Sequence, residues 1–126
     1  MSERKIKYLD MFAGIGGFRS GLENVGDIFL PVGYCEIDKY TRRAYETLYN
    51  TEGELCFEDA RTIDPEKLPD IDLICGGFPC QSFSIAGQRR GFEDARGTLF
   101  FEIARIARIK RPAFLLLENV PGLLSH

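Results

Sequence analysis

Five short apolar runs constrain this chain more than any other feature: Ile6 to Phe12, Phe29 to Cys35, Leu55 to Phe57, Ile71 to Cys75 and Ala113 to Leu117. Each is of strand length and is bounded by glycine, proline or acidic residues, so each reads as a β-strand. Helical patterns alternate with them. Phe18, Gly21, Leu22 and Val25 fall on one face of a helix that stops near Gly26. Asp38 can cap a second helix, from Lys39 to about Asn50, with Thr41, Ala44, Tyr45 and Leu48 turned inward. Thr98 opens a third, with Leu99, Ile103, Ile106 and Ala107 on one side, which ends before Pro112. Between Phe78 and Gly97 the glycine-containing sequence has little helical period and reads as a long loop, the kind that tends to be functional in a compact domain. This alternation predicts an α/β domain with a mainly parallel, twisted sheet.

A length of 126 residues and a hydrophobic content of 44% suit one core and one domain. Sixteen Lys and Arg against nineteen Asp and Glu give a net charge of -3, so no global positive field draws the chain to nucleic acid or to an anionic membrane. The longest apolar run is far below the roughly 18 residues of a membrane span, and the first residues lack a signal-peptide pattern. A soluble, cytoplasmic protein with reduced thiols is expected, with no membrane partner. The cysteines, Cys35, Cys56, Cys75 and Cys80, form no Cys-x-x-Cys pair, and the single histidine is His126, which argues against structural zinc.

In an open parallel sheet, ligands bind beyond the carboxyl ends of the strands. Those ends carry Phe12-Ala13-Gly14-Ile15-Gly16-Gly17, Glu36-Ile37, Asp59-Ala60, Phe78-Pro79-Cys80 and Glu118-Asn119-Val120. A glycine turn lets a ligand approach the backbone, and Glu36 follows at the distance suited to a ribose diol. The third glycine of a dinucleotide fingerprint would fall on Arg19, and no Gly-x-x-x-x-Gly-Lys occurs, so pyrophosphate ligands are disfavoured. Adenosine without phosphates suits the pattern: Glu36 for the ribose, Asp59 for the adenine amino group, Phe12 and Ile37 as apolar walls. A plain glycine turn with a solvated Glu36 would share the same spacing. Cys80 lies past a strand end among polar residues, where a thiolate could attack an electrophilic carbon, whereas Cys35 and Cys75 read as core. Without a histidine base, protease-type chemistry is disfavoured. Glu118 follows an apolar run expected to be buried; it either faces Cys80 across one pocket or caps Pro121-Gly122.

These residues together resemble the N-terminal catalytic part of the DNA cytosine-5 methyltransferases of bacterial restriction-modification systems. Asp10-Met11-Phe12-Ala13-Gly14-Ile15-Gly16-Gly17 is similar to the family's cofactor loop and Glu36-Ile37-Asp38 to its ribose-binding acid. Gly77-Phe78-Pro79-Cys80-Gln81 is similar to the nucleophile motif, and Glu118-Asn119-Val120 completes the set. Gly91 to Leu99 resembles the segment after the mobile catalytic loop. The resemblance implies a Rossmann-like, S-adenosylmethionine-dependent methyltransferase fold, truncated after about five strands. It further implies methyl transfer from S-adenosyl-L-methionine to C5 of cytosine in DNA. Cys80 and Glu118 would be catalytic. Phe12, Gly14, Ile15, Gly16, Gly17, Glu36, Ile37, Asp59, Ala60, Pro79 and Leu99 would hold the cofactor. Gln81, Ser84, Gln88, Arg89, Arg90 and Asn119 would contact substrate or form a lid; a solvated basic turn is the alternative for that loop.

The partner would be double-stranded DNA with a flipped cytosine. The family's Gln-x-Arg-x-Arg motif, target-recognition region and late cofactor segment do not occur in residues 1 to 126. A missing C-terminal region or a complementary chain is therefore expected, and residues 1 to 126 alone should be nearly inactive. An RNA cytosine-5 methyltransferase would use the same Cys80 and Glu118, and a noncatalytic adenosine-binding interaction subunit would need neither.

Overall fold

The structure, a computed structural model, describes residues 4–79 and 89–120. Its core is a five-stranded sheet, all parallel, made of β1 (Ile6–Met11), β2 (Phe29–Cys35), β3 (Leu55–Phe57), β4 (Leu73–Pro79) and β5 (Phe114–Val120), in the spatial order β3-β2-β1-β4-β5. The order reverses beside β1, which makes the gap between the ends of β1 and β4 the switch point at which open α/β sheets take ligands. Three helices cover it: α1 (Gly17–Val25), α2 (Lys39–Leu48) and α3 (Arg89–Lys110).

Alternation along β1 divides the core between the two faces of the sheet. Leu9 and Met11 pack with Ile74 of β4 and with Ile103 and Ile106 of α3, all fully buried. Burying each such isoleucine contributes about 2 kcal/mol. Tyr8 meets Leu22 of α1 with Leu73 and Cys75 of β4 on the opposite face. Cys35 and Cys75 are buried, as read from the sequence, and Cys56 is exposed. Of the inward stripes, Leu22 and Tyr45 hold, but Val25 and Leu48 are 72% and 62% exposed and Gly21 is exposed. Both misplaced apolar residues lie in the last turn of a short helix, where the helix has run past the sheet.

Pro31 is tolerated in β2 because β3 pairs only with Gly33–Cys35, so Pro31 has a strand partner on one side alone. The register slips just after it, between Tyr8 and Leu9 of β1. Gly33 then lets β3 approach: a methyl group there would lie 2.9 Å from the Leu55 carbonyl oxygen.

Three boundaries differ from the sequence expectation. β4 runs on through Gly76-Gly77 to Pro79, since its pairing with β5 continues to Pro79 and Val120. Glycine there serves close packing and is no turn: a methyl on Gly76 would be 3.0 Å from Ile103 Cδ1. α3 begins at Arg89, nine residues before Thr98, so the segment expected to be loop up to Gly97 is partly helix. Once Ile103 and Ile106 are packed, further turns need no apolar stripe of their own, because extending a helix is far easier than nucleating one. The helix closes at Arg111, in a left-handed conformation (φ +52°) with its N–H on the Ala107 carbonyl at 2.8 Å. Finally, Phe114, Leu115 and Leu116 of β5 are 61%, 49% and 44% exposed, although the run reads as buried. β5 is a sheet edge with little covering it among the described residues.

The turn after β1 is set by Gly16, the N-cap of α1 (φ +89°). A methyl group on Gly16 would lie 2.7 Å from the Tyr49 hydroxyl oxygen, which donates to the Gly16 carbonyl at 2.9 Å. Gly16→Ala is expected to lower stability by about 2 kcal/mol or more. Gly21→Ala, at an exposed helical site with nothing within 4 Å, should raise it by roughly 1 kcal/mol. Chemical denaturation of the pair checks both signs.

Candidate cofactor and catalytic site

The carboxyl ends of β1, β2 and β3 converge on one small cavity of about 210 Å³. Phe12, Ile37, Asp59, Ala60 and Leu99 line it, with Cys35, Glu58, Arg61 and Glu102. These are five of the eleven residues assigned to the cofactor from sequence. The space suits one flat ring system, below the roughly 300 Å³ at which pockets for larger ligands begin. A larger groove of about 920 Å³ runs beside the starts of β2 and β3, lined by Leu30, Pro31, Val32 and Leu55. It lies at the amino ends of those strands, away from the side on which parallel sheets bind ligands.

Beside the cavity, Glu36 joins the glycine turn to the end of β2. Its Oε1 accepts the Gly14 N–H at 2.7 Å and its Oε2 the Asp38 N–H at 3.0 Å. An ionised carboxylate has about four acceptor sites, so one on each oxygen stays available for a pair of hydroxyl donors. Phe12 sits in the left-handed region (φ +54°), uncommon for a bulky residue and a local strain at the lip of the cavity. Ile15 is 64% exposed, and Gly16 and Gly17 shape the turn and open α1 without lining the cavity.

Asp59 precedes the 3-10 turn Ala60–Thr62 and caps it, accepting the Arg61 N–H at 2.9 Å. The Arg61 guanidinium also holds it, with Nη2 2.7 Å from Oδ2. That side chain, more than any other contact, pulls the Asp59 pKa down to about 2, so the group is an anionic acceptor at any working pH.

The residues assigned to catalysis from the sequence belong to β4, β5 and the segment after β4. Their register pairs Gly77 with Glu118 and Pro79 with Val120. Glu118 therefore stands within β5 and not beyond it, and it is exposed. Its Oε1 lies 3.8 Å from where a Gly77 methyl would be, and Phe18 of α1 comes within 3.6 Å of the same point. Cys80 follows Pro79, the last residue of β4, in sequence. Cys80, Gln81, Ser84 and Gln88 lie outside the described residues, as do the side chains of Pro79, Arg89, Arg90 and Asn119.

Sequence reasoning missed the buried polar cluster beneath the turn. Arg19, 2% exposed, uses all five of its N–H donors. Nε bonds Glu23, Nη1 bonds Tyr45 and Glu54, and Nη2 bonds Glu54 and the Asn50 carbonyl, at 2.8 to 3.2 Å. Tyr45 passes the chain on to Asp10 of β1, donating to Oδ2 at 2.9 Å. The one available signal was Arg19 beside Phe18 and Leu22 with Glu23 four residues on, a pattern that equally describes a surface pair.

The strand order and the ligand-side cavity define the class: a Rossmann-like α/β fold. The chain superposes on the DNMT2 of Spodoptera frugiperda with a TM-score of 0.70, at 22% identity over 97% of this chain and 38% of that one. The model of the C-5 cytosine-specific DNA methylases matches residues 6–126, and the chain belongs to that family. It is 47% identical over 122 residues to the orphan methyltransferase M.SPRI of Bacillus phage SPR, covering 97% of this chain and 28% of that protein. It is 45% identical over 121 residues to the type II methyltransferase M.HhaI of Haemophilus parahaemolyticus, covering 96% and 36%. The chain thus spans roughly a third of the relatives it matches. Among the described residues, no helix is long and apolar enough to cross a membrane.

Asp10 is 1% exposed and its Oδ1 has no hydrogen-bond partner. Burial pushes its pKa up to about 7, against the Tyr45 hydrogen bond and the Arg19 charge, with Glu54 and Glu36 adding to the rise. The folded state therefore keeps a proton that the unfolded chain has released above its ordinary value of 3.8. Stability from this group is complete below about pH 4 and is lost as pH rises through about 7. Asp10→Asn should flatten that fall, by on the order of a few kcal/mol, in urea titrations from pH 4 to pH 8. An unchanged slope would contradict the buried, protonatable carboxyl.

Proposed function

We propose that this chain is the cofactor-binding, nucleophile-bearing part of an enzyme that methylates C5 of cytosine in DNA. The observation that carries the reading is the β4–β5 register, which aligns Glu118 with Gly77, three residues ahead of Cys80, on the same strand-end side of the sheet as a cavity sized for one ring system.

The residues present fit S-adenosyl-L-methionine. Glu36 has acceptor sites left for a ribose diol, Asp59 is an ionised acceptor at the cavity edge, and Phe12, Ile37 and Leu99 supply apolar walls. The turn from Gly14 to Gly17, with Ile15, lies where the rest of the molecule would pass, alongside Ala60 and Pro79. When bound, the cofactor supplies an electrophilic methyl group.

The protein's own groups make cytosine reactive. The Cys80 thiolate adds to C6, forming an S–C bond and breaking the ring aromaticity. Glu118, donating a proton to N3 or holding it by a hydrogen bond, lets negative charge leave the ring and makes C5 enamine-like. After alkylation at C5, loss of the C5 proton to a base and elimination of Cys80 as thiolate restore the ring. In a stacked duplex C5 and C6 are shielded, so the cytosine must first be flipped out. Gln81, Ser84, Gln88, Arg89, Arg90 and Asn119 are assigned to the lid and to substrate contacts in that state.

DNA contact over a wide surface is assigned to the region that the relatives carry beyond this part. The net charge of -3 fits that assignment, and β5 leaves Phe114, Leu115 and Leu116 exposed for such a region or a complementary chain to pack on. The test is mechanism-based trapping. The chain, completed by that region, is incubated with S-adenosylmethionine and duplex DNA containing 5-fluorocytosine, whose fluorine cannot leave as a proton does. A stable protein–DNA adduct mapping to Cys80 is expected, with none from Cys80→Ala. An adduct at another residue, or methylation that survives Cys80→Ala, would contradict the reading. Residues 1 to 126 alone are expected to bind cofactor weakly and to turn over little.

A further inference from the structure

The turn that presents Asp59 and Ala60 to the cavity is three residues of 3-10 helix, closed by the Thr62 and Ile63 N–H groups on the Asp59 and Ala60 carbonyls, with Ala60 and Ile63 buried in the core. One side chain of α3 adds a polar tie to it. Arg105 of α3 donates from Nη1 to the Ile63 carbonyl at 2.9 Å and from Nη2 to the Ala60 carbonyl at 3.1 Å. Its Nε is held in turn by Glu102 Oε1 at 2.8 Å. Leu99, Glu102 and Arg105 recur every three residues along one face of α3, and the first two line the cavity itself. α3 is anchored in the core by Ile103 and Ile106, both fully buried, so the guanidinium reaches from a fixed helix to the carbonyls of a short, half-buried turn.

Asp59 is arranged for one further donor. Oδ1 accepts the Arg61 N–H at 2.9 Å and Arg61 Nε at 3.1 Å, and Oδ2 accepts Arg61 Nη2 at 2.7 Å and a share of the same Nε at 3.2 Å. Three N–H groups, one of them shared, thus meet about four acceptor sites, which leaves capacity for a single further N–H. A single free acceptor discriminates by position, so its value depends on how firmly the turn is placed.

We infer that Arg105 is a positioning residue that fixes the 59–63 turn so that the cavity selects a 6-aminopurine over a 6-oxopurine. The inference rests on the cofactor reading above. Arg105 touches no ligand in this scheme. It acts through the two carbonyls, and its planar fork spans both, which a lysine ammonium does not do as well.

Calorimetric titration of the completed protein with S-adenosylhomocysteine and with S-inosylhomocysteine tests it. The parent is expected to prefer the adenosyl compound. In R105K and R105A that preference should shrink by about tenfold, a loss of the size one well-placed charged hydrogen bond supplies. Affinity for the inosyl compound, held through Glu36, should change little. Equal weakening of both compounds, or an unchanged preference, would overturn the inference. R105K decides the matter should R105A fail to fold. A parent protein that binds neither compound would overturn the cofactor reading itself, and this inference with it, whereas a discriminating parent with indifferent variants sinks only the role of Arg105.

Discussion

A buried guanidinium underlies the arrangement of the ligand side of this fold. An arginine that is 2% exposed is tolerable only when its charge and all its N–H groups are met, and Arg19 achieves this with Glu23, Glu54, Tyr45 and the Asn50 carbonyl. The rings of Tyr45 and Tyr49 flank it, with centroids 5.4 and 4.9 Å from its central carbon. Through these contacts one side chain ties α1 to α2 and to the residues entering β3, and through Tyr45 it reaches β1 at Asp10. Removing Arg19 or Glu54 would leave the other as a buried, unpaired charge, so this pair forms as a unit.

What the cluster holds in place is the turn from Phe12 to Gly17. One end of the turn leaves β1 directly after Asp10 and Met11, and the other enters α1 just before Arg19. Tyr49, whose ring is tilted against that of Tyr45, also bonds the Gly16 carbonyl, so the left-handed turn is clamped from below. Glu36 clamps it from the side through the Gly14 N–H. The exposed part of the turn thereby borders the cavity and the carboxyl ends of β1 and β4 with little freedom to sag. The same position at which a dinucleotide fold has glycine for close helix-to-strand packing is here filled by the arginine that does the clamping.

Much of this was legible in the sequence because local patterns and tertiary environment agree. The five strands, their parallel order of alternation with helices, the buried Cys35 and Cys75, and the capping of α2 by Asp38 all follow from periodicity and cap chemistry. The meeting of Phe12, Ile37, Asp59 and Ala60 in one cavity follows from the rule that strand ends gather ligand residues, whereas Leu99, inside α3, comes only from the family resemblance. The illegible parts are those decided by contacts distant in sequence. Gly76-Gly77 reads as a stop signal until the proximity of Ile103 explains it. Nothing in the local sequence marks Arg105, because the Ala60 and Ile63 carbonyls that it meets are more than 40 residues away. The apolar run of β5 reads as buried because pattern alone does not reveal which strand lies at an edge.

We propose that one opening at the strand ends joins a slot for adenine to a sulfur and a carboxylate. A crystal structure of the completed protein with S-adenosylhomocysteine tests this. Ribose hydroxyls on the Glu36 carboxylate, the purine between Phe12 and Leu99, and the Cys80 Sγ facing the same hollow as Glu118 are expected. A ligand seated in the groove beside Leu30 and Leu55, or Cys80 and Glu118 turned to opposite faces of the sheet, would contradict it.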